Sequence, residues 1–135
     1  MKINHIDHIA VNTHDIEKSA DFYEKVFGFN KMAGADMGEC VLVYLRIDEN
    51  SVMELFDLKG GCVNGVAEEN CRGFRHIAFD VDDIDGWNHR LKELGVKFVM
   101  DLTWLEPIGK SCLLIEDPDG VVIELCSEAK HAGSF

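Results

Sequence analysis

Positive charge is what this sequence is short of. Thirteen Lys and Arg stand against 25 Asp and Glu, a net charge of −12 at neutral pH. A surface of that sign repels nucleic acid and anionic membrane, whose binding needs clustered Lys and Arg, so neither is an expected partner. Long apolar runs are missing too: nothing approaches the roughly 20 residues of a membrane span. The charged start Met1-Lys2-Ile3-Asn4-His5 also lacks the apolar run of a secretion signal. A cytoplasmic protein is expected. Cysteine is present but unpatterned. The five, at 40, 62, 71, 112 and 126, are odd in number and contain no C-x-x-C spacing, which argues against a disulfide framework or a zinc ribbon and for reduced thiols.

What the chain does contain is one unit written twice. Laying Asp7-His8-Ile9-Ala10 on Arg75-His76-Ile77-Ala78 brings residues 6–32 onto residues 74–100 at a constant offset of 68, matching His8 with His76 and Asp15 with Asp83. Further along, the offset is 70, and Val52-Met53-Glu54-Leu55 falls on Val122-Ile123-Glu124-Leu125. By size the chain, 1–135, is a single domain, and a half of about 68 residues would be marginal alone, so the halves are expected to share one core.

Each half reads β-α-β-β-β. In the first, a strand at 6–11 leads to a helix capped by Asp15, with Ile16, Ala20, Tyr23, Val26 and Phe27 at helical spacing and Gly28 closing it. Strands follow at 29–33, 40–47 and 52–58. The second half repeats this with a strand at 74–81 and a helix capped by Asp83 and closed by Gly95. Its remaining strands are expected at 97–102, 111–116 and 121–127, the last two joined by Asp117-Pro118-Asp119-Gly120, a type I turn sequence. The expected fold class is α+β: two tandem βαβββ modules at 1–58 and 74–127, a crossover at 59–73 and a tail at 128–135.

His8 and His76 then fall mid-way along the first strand of each module, and Glu54 and Glu124 within the last. A carboxylate inside Val-Met-Glu-Leu-Phe or Val-Ile-Glu-Leu-Cys is costly to bury without a partner. One such residue reads as a strand-edge carboxylate in water or a hydrogen-bonded core histidine. Four at repeat-related positions read instead as a metal site, because unrelated accidents need not respect the repeat. Two imidazoles and two carboxylates suit one divalent Zn, Ni, Co or Mn, with open positions for two neighbouring oxygens of a small-molecule substrate.

The chain resembles the vicinal oxygen chelate superfamily, which includes glyoxalase I, methylmalonyl-CoA epimerase, extradiol dioxygenases and the fosfomycin and bleomycin resistance proteins. The resemblance rests on Ile6-Asp7-His8-Ile9-Ala10-Val11, Asp21-Phe22-Tyr23-Glu24-Lys25-Val26-Phe27-Gly28-Phe29, His76-Ile77-Ala78-Phe79, and Glu116-Asp117-Pro118-Asp119-Gly120 leading to Ile123-Glu124-Leu125. It implies that the paired modules form a cupped mixed sheet around the metal. The order His8, Glu54, His76, Glu124 resembles glyoxalase I, and implies a lyase or isomerase that transfers a proton next to a metal-chelated carbonyl. The resemblance also implies that Glu124 is the first choice of base and Glu54 the second. Epimerases are the alternative, since their pattern has Gln or Glu at the position of Glu54; a non-catalytic binding or resistance protein of the same fold is the third reading. Two residues that contact glutathione in glyoxalase I are absent, their positions being held by Asn12 and Leu58.

Exposed strand edges predict a homodimer, with the site inside one chain or shared across the interface. Cys126, Tyr44 and Trp104 read as packing residues near the expected site. His5, His14, His89 and His131 read as solvent-facing. Arg46, Arg72, Arg75 and Lys110 are cations that could hold an anionic substrate group, yet as exposed charges they need no such role.

Overall fold

The computed structural model describes residues 1–59 and 73–133. The crossover expected at 59–73, with Cys62, Cys71 and Arg72, lies outside the described residues except at its ends, as do the side chain of Leu58 and the last two residues of the tail. The chain divides into two compact units, Met1–Asn64 and Gly65–Phe135. It carries two four-stranded mixed sheets and two helices, an α+β fold.

In the first unit, β1 (His8–Asn12), α1 (Ile16–Phe27), β2 (Asn30–Asp36), β3 (Cys40–Arg46) and β4 (Val52–Leu58) form a sheet of order β1-β4-β3-β2. Asp15 caps α1 by accepting from the Lys18 N–H at 3.1 Å. Thr13 reinforces the cap: its hydroxyl accepts from the Asp15 N–H. Gly28 ends the helix with φ of 73°, donating its N–H to the Glu24 carbonyl. Ala20, Tyr23 and Val26 lie on one side of α1 and are buried, as are Val11, Val43, Leu45, Met53 and Leu55 on one face of the sheet. That face is the one that α1 covers. The other face carries His8, Ala10 and Asn12 from β1, Val52, Glu54 and Phe56 from β4, and Leu42, Tyr44 and Arg46 from β3.

In the second unit, β5 (Ile77–Asp80), α2 (Ile84–Glu93), β6 (Phe98–Leu105), β7 (Lys110–Glu116) and β8 (Val122–Ser127) repeat the order as β5-β8-β7-β6. Asp83 caps α2 by accepting from the Gly86 N–H. Ile84 and Leu91 of the helix are buried, and so are Ile77, Leu113, Ile115, Ile123 and Leu125 on one sheet face. Ala78, Asp80, Cys112, Leu114, Glu124 and Cys126 share the opposite face. The tail returns along this unit, where the His131 N–H donates to Ser111 Oγ at 3.0 Å and the Ala132 N–H to Asp85 Oδ2 at 3.0 Å.

Four expectations need correction. His8 opens β1 and His76 just precedes β5, so neither lies mid-strand. In the first module the reason is pairing: β4 begins only at Val52, the partner of His8, leaving residues before His8 without a ladder partner; in the second, the β5–β8 ladder starts one residue after His76, at Ile77 and Ile123. The strand expected at 97–102 extends to Leu105 and includes Trp104, because β7 starts at Lys110 and the chain reverses only at Glu106–Gly109. The strand expected to end at 33 runs to Asp36, with a bulge between Lys31 and Gly34. Gly34 tolerates no side chain there, since a Cβ would stand 2.5 Å from the Leu42 carbonyl oxygen. Helix α2 ends at Glu93 with Leu94 as its C-cap, and Gly95 follows one residue beyond the cap at φ of 68°.

Candidate metal centre

The four candidate ligands form two pairs, one in each unit. In the first, the parallel register sets Ala10 beside Glu54, so His8, two residues earlier, projects from the same face as Glu54. The negative charge of Glu54 contributes to raising the His8 pKa. Both ligands also have outer partners. His8 Nδ1 lies 2.8 Å from Asp7 Oδ2, and this hydrogen bond is the main cause of the raised histidine pKa and of the lowered Asp7 carboxyl. Glu54 accepts from the phenol of Tyr44, its cross-strand partner, and this hydrogen bond is the main reason that the phenol is pushed above its ordinary value.

In the second unit, Ala78 lies beside Glu124, and His76 again comes two residues earlier on the same face. Here the ligands touch one another: His76 Nε2 is 2.7 Å from Glu124 Oε2. The remaining ring nitrogen, His76 Nδ1, is buried and has no hydrogen-bond partner. Glu124 also interacts with the thiol of Cys112, which burial first and this carboxylate second push up to about 12. Such a thiol is a poor nucleophile and a weak donor. Cys126 is buried with its Sγ 3.7 Å from the Phe79 carbonyl, the packing role expected of it.

These residues fit a divalent ion. Each pair offers one imidazole nitrogen and one carboxylate, and the two carboxylates of the two pairs together would balance a doubly charged cation. The unpartnered Nδ1 of His76 and its short contact with Glu124 show donor capacity that no neighbouring residue uses. Among the described residues, no three His, Cys, Asp or Glu side chains already form a group able to hold a metal.

The other sequence candidates divide. Lys110 lines a groove of about 440 Å³ with Asp80, Ser127 and Glu128, where two carboxylates outweigh it. Trp104 donates to Glu106 and lies 4.8 Å beneath the Lys130 ammonium, a packing arrangement. His5, His14 and His89 are exposed; His131 is half-buried where the tail docks. Sequence reasoning passed over Asp7 altogether and read Tyr44 as packing. Their signals were there: an acid immediately before a candidate ligand, and a phenol whose hairpin register sets it opposite Glu54.

Comparison with known proteins now supplies the family. Residues 5–125 match the profile of the glyoxalase/bleomycin resistance protein/dioxygenase superfamily. The chain belongs to this superfamily. It is 30% identical over 123 residues to a probable lactoylglutathione lyase from Synechocystis sp., covering 87% of this chain and 91% of the relative. To the mitochondrial methylmalonyl-CoA epimerase of Mus musculus it is 27% identical over 131 residues, 92% of this chain and 73% of the epimerase. Among solved structures, a glyoxalase family protein from Enterococcus faecalis superposes with a TM-score of 0.81 at 25% identity, covering 93% of this chain and 99% of that one. Members of the superfamily thus include proteins named as lyases and as epimerases. Among the described residues, no helix is long and apolar enough to cross a membrane.

Proposed function

We propose that this protein is a divalent-metal-dependent lyase or isomerase of the glyoxalase I type, which moves a proton at a carbon next to a chelated carbonyl. The observation that carries the reading is the repetition of one imidazole–carboxylate pair on the face of each sheet opposite its buried leucines, with His76 and Glu124 2.7 Å apart. His8, Glu54, His76 and Glu124 hold the ion, whether zinc, nickel, cobalt or manganese. When bound, the ion supplies Lewis acidity, polarising a carbonyl presented by two neighbouring oxygens of the substrate. Glu124 then acts as the base. One of its oxygens accepts the proton from the adjacent C–H and returns it to the neighbouring carbon; in an epimerisation a second group, for which Glu54 is the candidate, delivers a proton to the opposite side of the same carbon. Glu54 is also the second candidate for the base. The apolar surroundings of Glu124, among Leu114, Cys112 and Cys126, favour proton transfer by excluding water.

Loss of the glutathione contacts at Asn12 and Leu58, together with the epimerase relative, favours a second reading of the same chemistry: epimerisation of an acyl-CoA. The protein acts in the cytoplasm as a homodimer, a state supported by β2, an edge strand exposed along its whole length.

The deciding assay uses methylglyoxal and glutathione with nickel- and zinc-loaded protein. Strong turnover identifies glyoxalase I. No turnover, with deuterium from solvent entering an acyl-CoA, identifies the epimerase. If no chelating substrate exchanges a C–H and Glu124→Gln binds the same ligands equally well, the protein is a binding module.

A further inference from the structure

We infer that the centre is built from unequal halves. Asp7 and Tyr44 hold His8 and Glu54 as standing ligands, while the His76–Glu124 pair must rearrange to meet the ion. Asp7 and Tyr44 are therefore positioning residues. The inference rests on the metal reading above and adds to it a division of labour between the modules.

The argument starts from where protons can sit. An ionised carboxylate only accepts hydrogen bonds, so the 2.8 Å contact between Asp7 Oδ2 and His8 Nδ1 places the proton on Nδ1. In the neutral ring the lone pair is then on Nε2, ready for a cation before any cation arrives. A carboxylate behind a ligating imidazole fixes both tautomer and ring orientation. The position related to Asp7 in the second module is Arg75, which has no acceptor to offer an imidazole.

Glu54 is held by the same logic. The Ile47 N–H donates to the Ser51 carbonyl at one end of the β3–β4 hairpin, and the Lys59 N–H to the Glu39 carbonyl at the other. Because hydrogen-bonded and non-hydrogen-bonded positions alternate along an antiparallel ladder, both ends make Tyr44 and Glu54 a non-hydrogen-bonded pair, the kind whose side chains stand closest. Tyr44 can therefore keep its hydroxyl on one carboxylate oxygen and leave the other for the ion. In the second module the residue opposite Glu124 is Leu114, which donates nothing. Glu124 has instead His76, and the 2.7 Å contact places a proton on His76 Nε2. For both residues to ligate one ion through the atoms now in contact, that proton must leave and the contact must open. Among the described residues, Glu124 then keeps only the weak thiol donor of Cys112 where Glu54 has a phenol, which suits a carboxylate that has to reach a substrate C–H.

The test measures affinity for zinc ion alone, by competition with a chromogenic chelator, in wild type, Asp7→Asn, Tyr44→Phe and Arg75→Asn. We expect Asp7→Asn and Tyr44→Phe each to weaken zinc about tenfold, within the 10–100-fold span typical of residues behind metal ligands, and Arg75→Asn to stay within threefold. Nitrogen-15 chemical shifts of metal-free protein add a readout that general loosening would not move: the His8 ring should be the Nδ1–H tautomer in wild type and mixed in Asp7→Asn. Asp7→Glu should restore part of the affinity. If wild type binds zinc and both variants match it, or if Arg75→Asn weakens zinc as much as they do, the division of labour is wrong and the metal reading stands. If wild type binds no zinc, nickel, cobalt or manganese, both fall together.

Discussion

Leu55 and Leu125, seventy positions apart, are both fully buried on the helix-covered faces of their sheets, whereas Asp7 and Arg75, sixty-eight apart, set opposite charges beside equivalent histidines. The same split runs through both modules. Asp15 and Asp83 cap the two helices in the same way, and Asp48 and Asp117 each accept two backbone N–H groups in equivalent turns. Yet Tyr44 meets Leu114 across the repeat, and Leu42 meets Cys112. Burial and capping constrain a residue through its own module, so both copies keep the same answer. A residue behind a ligand is constrained only by what that ligand must do, and the copies are free to differ once the ligands take different tasks.

The largest effects should fall on the shared framework. Leu55→Ala and Leu125→Ala are each expected to cost about 3 kcal/mol of stability, the usual price of deleting a sealed leucine. Urea unfolding monitored by circular dichroism checks this. A cost in one module less than half that in the other would break the equivalence of the two cores. Next comes the aromatic cluster of the first module. Phe29 stacks on Phe27 at 5.3 Å and on Tyr23 at 6.2 Å, whereas the repeat sets Lys97 in the place of Phe29. Phe29→Ala should cost about 2 kcal/mol. Lys97→Ala, which loses only a surface pair with Glu116, should cost under about 0.5 kcal/mol.

Turn carboxylates should give smaller changes. Asp117 is buried, and Asp117→Ala strands the Asp119 and Val121 N–H groups, at about 1–2 kcal/mol. Asp48 is exposed and its replacement by Ala should lower the melting temperature less. Its effect carries a pH signature. Hydrogen bonds from the backbone of Asn50 and Ser51 hold the Asp48 carboxyl below its ordinary value of 3.8. A depressed carboxyl contributes stability above the unfolded value, and that stability disappears as pH falls through the folded one. Melting curves of wild type and Asp48→Ala should therefore differ at neutral pH and converge in strong acid. A difference that persists undiminished there would mean that Asp48 acts through shape and not through charge.

The strands and helices were legible because each leaves a local trace, and so was the repeat that pairs the candidate ligands. Asp15 and Gly28 bracket a run with helical spacing, and the repeat aligns Glu54 with Glu124 by simple offset. Most of what escaped depends on partners distant in sequence. The start of β1 is set by where β4 begins, 44 residues later, and the length of β6 is set by β7. Tyr44 escaped for the same reason, since only the register sets it opposite Glu54. Asp7 escaped differently: it adjoins His8, but alternation along a strand would point neighbouring side chains apart, and the contact forms because Asp7 lies just before β1 begins.

The shift of the repeat offset from 68 to 70 has a location. It accumulates between β2 and β3 in one module and between β6 and β7 in the other, where β6 has eight residues against seven and the joining loop spans 106–109 against 37–39. The two additional residues thus lie at a hairpin tip of the second module, outside α2 and outside the strands next to His76 and around Glu124. Pro107, Ile108 and Gly109 are exposed at that tip. A peptide tag or a fluorescent label grafted there should leave both modules folded, giving a handle for following the second module when metal is added.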